Sequence, residues 1–386
     1  MRIGIITGEY PPMQGGVGAY TRIMAHHFAD LGHAVHIFAG HQAQEPRADI
    51  TLEATTRRWN YAALRRIRQW VDDNALDVVN LQFETAAYQM SGWVHLIPRL
   101  LRDVPVITTF HDLLVPYLFP KAGRLREWAM MYLASRSGGV IATNHEDHAR
   151  LSHHPHHALI PIGSNIPDDS PPDYDREAWR LRAGAGDDDF LVAHFGFMNR
   201  SKGVDILVED VARLINAEYP VKLVMIGGRT GDSDGANAAY ADEIDALIAE
   251  LGIGQYVTWT GYVDSAAVSA YLRACDVVAL PFTDGASYRR GSLMAAIQHG
   301  CAIVTTKPRV EIPAFVDGEN MLMARYELIS DSTPPFLHVS PGILQLYRDD
   351  ALRERIQRGA RELAAHFQWE RIVADTLAFF EKVMKA

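Results

Sequence analysis

Residues 2–28 read RIGIITGEYPPMQGGVGAYTRIMAHHF: an apolar, β-branched run, then a loop with two prolines and three glycines, then a segment with helical periodicity. The run Arg2–Thr7 has the length of a strand. Beyond the loop, Tyr20, Ile23, Met24, His27, Phe28 and Leu31 recur at spacings of three and four, and Gly32 supplies a helix C-terminal cap. A strand that empties through a glycine-rich loop into a helix is the first half of a βαβ unit, and it predicts a parallel sheet.

The same alternation continues outward along the chain. RIGIIT, AVHIFA, DVVNLQ, VPVITTF, GGVIAT and ALIPI are the strands expected in the first half, and FLVAHFG, VKLVMIG, VTWTGY, VVALPF and AIVTT those in the second. The series breaks once, at NIPDDSPPDYDREAW (165–179) and RAGAGDDD (182–189), where Pro, Gly and Asp accumulate and periodicity fails. The expected organisation is α/β with two Rossmann-like, doubly wound domains, 1–166 and 190–365, joined by a linker at 167–189. A helix over 366–386 closes the chain.

Composition narrows the function classes. The chain has 386 residues and a formal net charge of −10, which argues against nucleic acid as a partner, since phosphates are met by clustered Lys and Arg. Two cysteines, Cys275 and Cys301, lie apart in apolar stretches, so neither a disulfide framework nor a zinc site is indicated. A reducing, cytoplasmic setting is expected. No run approaches the roughly 18 apolar residues of a membrane span, and IGIIT is too short for the core of a signal peptide.

In doubly wound folds, ligands bind at the carboxyl ends of the strands, where helix N-termini present backbone amides. Gly15, Gly16 and Gly18 fall there. The run is not G-x-G-x-x-G, because Thr21 takes the place of the third glycine, and no P-loop pattern occurs. Two readings stay open: a helix entry that needs positive φ, or bare amides that meet a phosphate or a sugar hydroxyl.

The ordered set GEYPPMQGGVGAYTRIMAHHF, TTFHD (108–112), GFMNRSKGVDILVE (196–209), VMIGG (224–228), WTGYV (259–263), LRACDVVALPF (272–282) and FQWERI (367–372) resembles retaining glycosyltransferases of the GT-B fold, family 4, also called group 1. The likeness covers nearly the whole chain. It implies two domains facing each other across a cleft, an acceptor held mainly by the first and a nucleotide diphosphate sugar mainly by the second. The final helix would cross back to the first domain. It also implies a hexosyltransferase without metal or other cofactor.

Carried over residue by residue, the resemblance makes Lys202 a diphosphate-binding lysine and His111 the histidine that approaches the donor sugar, with Asp112 orienting it or capping the next helix. Gly15, Gly16 and Asp112 fall to the acceptor side, and Gly16 also to the donor phosphate. Gly228, Tyr262 and Val263 fall at strand ends that bind the nucleotide. The chain departs from the family in two places. Phe197 stands where an arginine is usual, so Arg200 is a candidate substitute. In PFTDGASYRRGSLMAAIQHGCAIVTT (281–306), Ser287 and Ala295 stand where the family has two glutamates. Asp284, Arg289, Arg290, Gly291 and Ser292 surround the first of these; Ser287, Arg289, Gly291 and Ser292 are candidates for binding the donor diphosphate, and either Asp284 or the arginine pair replaces the missing carboxylates. A planar guanidinium suits a diphosphate. The catalytic set is therefore His111, Lys202, Asp284 and Arg290, in a variant subgroup lacking the two-glutamate motif.

With no carboxylate evidently placed to form a covalent intermediate, the resemblance favours retention by front-face attack. The expected partners are a nucleotide-sugar donor and a sugar, lipid or small-molecule acceptor. RRWNYAALRRIRQW (57–70) is basic, and with Leu64, Ile67 and Val71 it is a candidate for weak peripheral contact with the inner face of a membrane. Six histidines between 145 and 157 read as a polar surface segment rather than a metal site. The rival classes are another GT-B enzyme acting on a nucleotide sugar or sugar phosphate, and a nucleotide-binding protein without transferase activity.

Overall fold

The structure is a computed structural model, which describes residues 1–13, 15–113, 123–228, 235–324, 326–327 and 336–386. The chain divides into two compact units, one formed by Met1–Asn165 with Gln368–Ala386 and the other by Ile166–Phe367.

The first unit contains β1 (Arg2–Thr7), α1 (Gly16–Asp30), β2 (Ala34–Gly40), β3 (Ile50–Thr56), α2 (Tyr61–Asp73), β4 (Val78–Phe83), α3 (Ile97–Leu100), β5 (Val106–Phe110), α4 (Gly123–Arg136), β6 (Gly139–Ala142), α5 (His145–Leu151) and β7 (His157–Leu159). Its seven strands form one parallel sheet in the order β3-β2-β1-β4-β5-β6-β7. Every residue of β4 and β5 is buried, as expected of strands covered by helices on both faces.

The second unit contains α6 (Arg176–Arg182), β8 (Phe190–Phe195), α7 (Val204–Asn216), β9 (Val221–Ile226), α8 (Gly235–Glu250), β10 (Val257–Trp259), α9 (Ser265–Ala274), β11 (Val277–Leu280), α10 (Gly291–Gln298), β12 (Ile303–Thr306), β13 (Leu322–Ala324), β14 (Tyr326–Glu327), β15 (Phe336–Leu337), α11 (Ser340–Arg348) and α12 (Asp350–Ala364). Its parallel sheet has the order β10-β9-β8-β11-β12-β13, and β14 and β15 make a small antiparallel pair. Strand order reverses beside β1 in the first unit and beside β8 in the second. Those are the switch points where a crevice opens beyond the strand ends.

The last helix, α13 (Trp369–Met384), belongs to the first unit and packs on α1, with the Phe28 and Phe380 rings 5.9 Å apart. It also covers β6. A Cβ added at Gly139 would lie 2.8 Å from Val383 and 3.1 Å from Phe379.

Three sequence expectations change on folding. The stretch 167–189, read as a linker, belongs to the second unit and carries α6. Trp179 packs edge-on against Tyr271 at 4.8 Å, and Arg180, 4% exposed, pairs with Asp276 at 2.8 Å. A helix this short, set among Asp, Pro and Gly, leaves too few turns for its period to show. Strand β3 was not anticipated, because ITLEATT pairs with β2 alone at the sheet edge, where most of its residues keep some exposure and no continuous apolar run is needed. The stripe of α2 proposed for membrane contact is core: Leu64, Ile67 and Val71 are buried with Trp59 and Trp70. Among the described residues no helix is long and apolar enough to cross a membrane.

Candidate functional site: two strand-end clusters

In the second unit Lys202, Asp284, Ser287, Arg289, Arg290, Gly291 and Ser292 gather beyond β8 and β11. The chain leaves β8 at Gly196, whose φ of +119° few other residues adopt, and makes a short turn at Arg200–Lys202 before α7. Lys202 folds back so that its ammonium occupies the place a side chain at Gly196 would take, 2.1 Å from that Cβ position. The same position lies 3.8 Å from Ser292 near the start of α10. The Lys202 ammonium makes no hydrogen bond or ion pair among the described residues, and burial together with the nearby Arg290 charge lowers its pKa to about 7. Behind it on β8, His194 is wholly buried, and its Nδ1 faces the Ala279 carbonyl at 3.3 Å. Burial first, and Lys202 second, lower the His194 pKa to about 3, so this imidazole is neutral.

The loop after β11 supplies the rest. Asp284 binds both arginines, Arg289 at 3.0 Å and Arg290 through its other oxygen. Arg290 also donates to Ser201 Oγ at 3.0 Å and lies 4.8 Å over the Phe282 ring. Thr283 N donates to the Ser201 carbonyl at 3.0 Å, so the two loops are joined through Ser201. Ser287 shapes the turn: its carbonyl accepts from Arg290 N at 3.1 Å and its hydroxyl from Arg289 N at 3.3 Å. Helix α10 then starts at Gly291 and Ser292 with no side-chain cap. Ala295 is wholly buried inside α10. Both oxygens of Asp284 are engaged by guanidinium groups, so its evident task is to hold the arginines.

Arg200 is not brought to this group; it is exposed and pairs with Glu243 of α8 at 2.5 Å. Gly228 follows β9, where Gly227 N donates to Thr260 Oγ1 at 3.1 Å and Gly227 bridges to Gly261. Tyr262, 66% exposed, and the half-buried Val263 follow β10.

In the first unit, Gly15 caps α1 in extended conformation at φ −168°, and Gly16 and Gly18 also lie outside the left-handed region. Positive φ is therefore not what the loop needs. The glycines leave room for Glu9, whose carboxylate lies 1.6 Å from where a Gly15 Cβ would be and accepts from Gly18 N at 3.3 Å. The amides that the sequence presents as bare are thus capped from within the loop. Burial is the main cause of the raised Glu9 pKa, and Glu84 adds to it. Glu84, at the end of β4, accepts from Ala86 N at 3.1 Å and Ala87 N at 2.8 Å; its pKa is raised by burial, with a smaller push from Asp112. A Cβ at Gly16 would meet nothing within 4 Å, so the fold itself does not demand glycine there.

His111 follows β5. Its Nε2 is 2.8 Å from Gln82 Oε1, its ring stands edge-on to Tyr20 at 4.9 Å, and burial lowers its pKa to about 4. Tyr20 is backed by Trp369 of α13 at 5.4 Å. In the histidine tract, His148 bonds His157 at 2.9 Å, and no group of three or more metal-ligating side chains occurs among the described residues. Sequence reading missed Glu9, Gln82, His194 and Ser201. Glu9 carries a signal in retrospect, an acid inside a glycine loop before a helix; the others carry none.

Comparison with known proteins bears on the family and the fold. Residues 15–159 match the glycosyl transferase 4-like domain, and residues 189–331 match the glycosyl transferases group 1 domain. Among curated proteins, the chain is 26% identical over 322 residues to a D-inositol 3-phosphate glycosyltransferase of Jonesia denitrificans, covering 78% of this chain and 71% of that one. It is 22% identical over 398 residues to a phosphatidyl-myo-inositol mannosyltransferase of Mycobacterium leprae, covering 99% and 97%. Among solved structures, sucrose-phosphate synthase from Thermosynechococcus elongatus superposes with a TM-score of 0.77 at 18% identity, over 100% of this chain and 99% of that one. Anabaena HepE in complex with UDP and glucose gives 0.75 at 18%, over 98% and 99%. The fold is GT-B, and the chain is a glycosyltransferase of the group 1 family, with a 4-like domain ahead of the group 1 domain.

Proposed function

We propose that the protein transfers a hexosyl group from a nucleotide diphosphate sugar, held by the second unit, to an acceptor hydroxyl held by the first, with retention and without metal. The observation that carries this reading is the unpaired Lys202 ammonium beside Arg290 and the uncapped start of α10, at the carboxyl edge of β8. Departure of a nucleoside diphosphate leaves two or three negative charges. Preorganised cations and amides stabilise them in place of a metal, each such donor being worth about 3 kcal/mol at the transition state.

The C1–O bond to the diphosphate breaks as the acceptor oxygen bonds to C1 on the same face, and the acceptor proton passes to the departing phosphate. No protein base is required. With Ser287 and Ala295 in place of carboxylates and Asp284 engaged by two arginines, that route suits the side chains present. On the acceptor side, Glu9 and Glu84 favour a polyol or sugar that presents uncharged hydroxyls. The setting is cytoplasmic, in keeping with the two buried free thiols.

The test is calorimetric titration with UDP, GDP, ADP and dTDP in excess EDTA, repeated on Lys202→Ala. UDP comes first because the HepE neighbour was solved with it. One nucleotide should bind selectively and lose at least about a hundredfold in affinity in the variant, a change of ~2.7 kcal/mol. The matching nucleotide sugars are then offered with inositol and simple sugars, and the anomeric configuration of the product is read by NMR. An inverted product defeats the front-face route. Nucleotide binding without turnover across donors and acceptors favours a non-catalytic nucleotide-binding protein.

A further inference from the structure

Strand β4 carries two amides, Asn80 and Gln82, that are each 1% exposed in a strand whose other residues, Val78, Val79, Leu81 and Phe83, are apolar. Buried amides are costly unless every polar atom is satisfied, and Val or Leu would serve the sheet equally well. Their hydrogen bonds run in one direction. Asn80 Nδ2 donates to the Ile107 carbonyl at 3.0 Å and to Thr109 Oγ1 at 3.0 Å. A backbone carbonyl only accepts, so the amide nitrogen of Asn80 must face it and Oδ1 must face Gln82. Gln82 therefore turns its Nε2 to Asn80 Oδ1, and its own Oε1 is left facing His111 Nε2 at 2.8 Å. An oxygen of that kind only accepts, and the ring nitrogen opposite must carry the proton.

We infer that Asn80 and Gln82 are positioning residues that hold His111 as the Nε2–H tautomer, leaving Nδ1 as a hydrogen-bond acceptor for a substrate hydroxyl. The direction is set at the Ile107 carbonyl and passed through two side chains to the imidazole. Tyr20, edge-on to the ring at 4.9 Å, fixes its plane. His111 Nδ1 makes no hydrogen bond among the described residues, and it is the ring nitrogen left for a ligand. In this tautomer Nδ1 accepts a hydrogen bond from an O–H group and donates none, so it suits a sugar hydroxyl and not a phosphate oxygen.

The inference rests on the proposed role of His111 at the donor sugar, but its test does not need turnover. The full chain is labelled with 15N-histidine, and the His111 signals are identified by their loss in His111→Gln. In the free wild-type protein, long-range 1H–15N correlation should show a single tautomer protonated at Nε2, with a slowly exchanging ring proton. A proton on Nδ1, or an averaged mixture, overturns the proposal.

In Asn80→Leu and Gln82→Leu, the Nε2–H proton should exchange faster and the two nitrogen shifts should move toward a mixture. kcat/KM for the donor sugar should fall by roughly tenfold to a hundredfold, with nucleoside diphosphate affinity unchanged. Variants that keep the wild-type nitrogen shifts and exchange overturn the positioning role. If neither variant folds, the wild-type spectrum alone decides the tautomer.

Discussion

The two units share one architecture and carry opposite chemistry at their strand ends. Beyond β1 and β4 the N-terminus of α1 is filled by the Glu9 carboxylate, with Glu84 and Asp112 adding negative charge. Beyond β8 and β11, three cations, Lys202, Arg289 and Arg290, stand with one carboxylate, Asp284. A doubly wound sheet supplies the crevice and the helix ends in both cases. Which ligand it suits is decided by the side chain that reaches the helix N-terminus: a carboxylate there turns anions away, and an uncapped start flanked by cations draws them.

The comparison breaks most readily at Lys202. Since its pKa in the folded, unliganded protein is about 7, well below the ordinary lysine value of 10.5, the ammonium is charged without help only below that pH. Above it, an anion must bring a proton with it, so nucleoside diphosphate affinity should fall as pH rises, at the limit about tenfold per unit. Titrations near pH 6 and near pH 9 check this, and Lys202→Met should show weak binding with little slope. The unliganded protein has the opposite trend. Between about pH 7 and the ordinary lysine range the unfolded chain binds more protons, so stability should rise with pH and this rise should vanish in Lys202→Met.

A smaller effect is expected at Asp284. In Asp284→Asn both guanidinium groups lose a charged partner at a site only partly open to water, so stability should fall by about 1–2 kcal/mol and nucleotide affinity by roughly tenfold. Thermal melts with and without nucleotide separate the two. The least is expected at Glu9. Glu9→Ala should lower stability by no more than about 1 kcal/mol, because a helix end loses its counter-charge. It should also let inorganic phosphate bind weakly to the first unit, which calorimetry reads. If phosphate is still refused, Glu84 and Asp112 suffice and Glu9 is not what distinguishes the two edges.

Much of the architecture was legible because buried parallel strands must be continuous apolar runs. RIGIIT, VPVITTF and VKLVMIG are strands for that reason, and the amphipathic helices between them follow from the need to cover the sheets. Edge strand β3 and helix α6 were not legible, since one is covered on too few sides and the other is too short for its period to stand out.

The sequence by itself also pointed to three members of the cationic cluster, although it offered Arg200 as a fourth. Lys202, Arg289 and Arg290 sit in loops at strand ends, where spacing along the chain fixes position. Only the tertiary structure decided what those groups do to one another. Asp284 grips both arginines, Arg200 turns to Glu243, Glu9 fills the helix end that looked bare, and Gln82 faces His111 across 29 positions of chain. Periodicity and spacing report which face of an element a side chain takes. Pairing between polar groups far apart in sequence depends on the register of neighbouring strands, and that is settled only when the sheet is assembled.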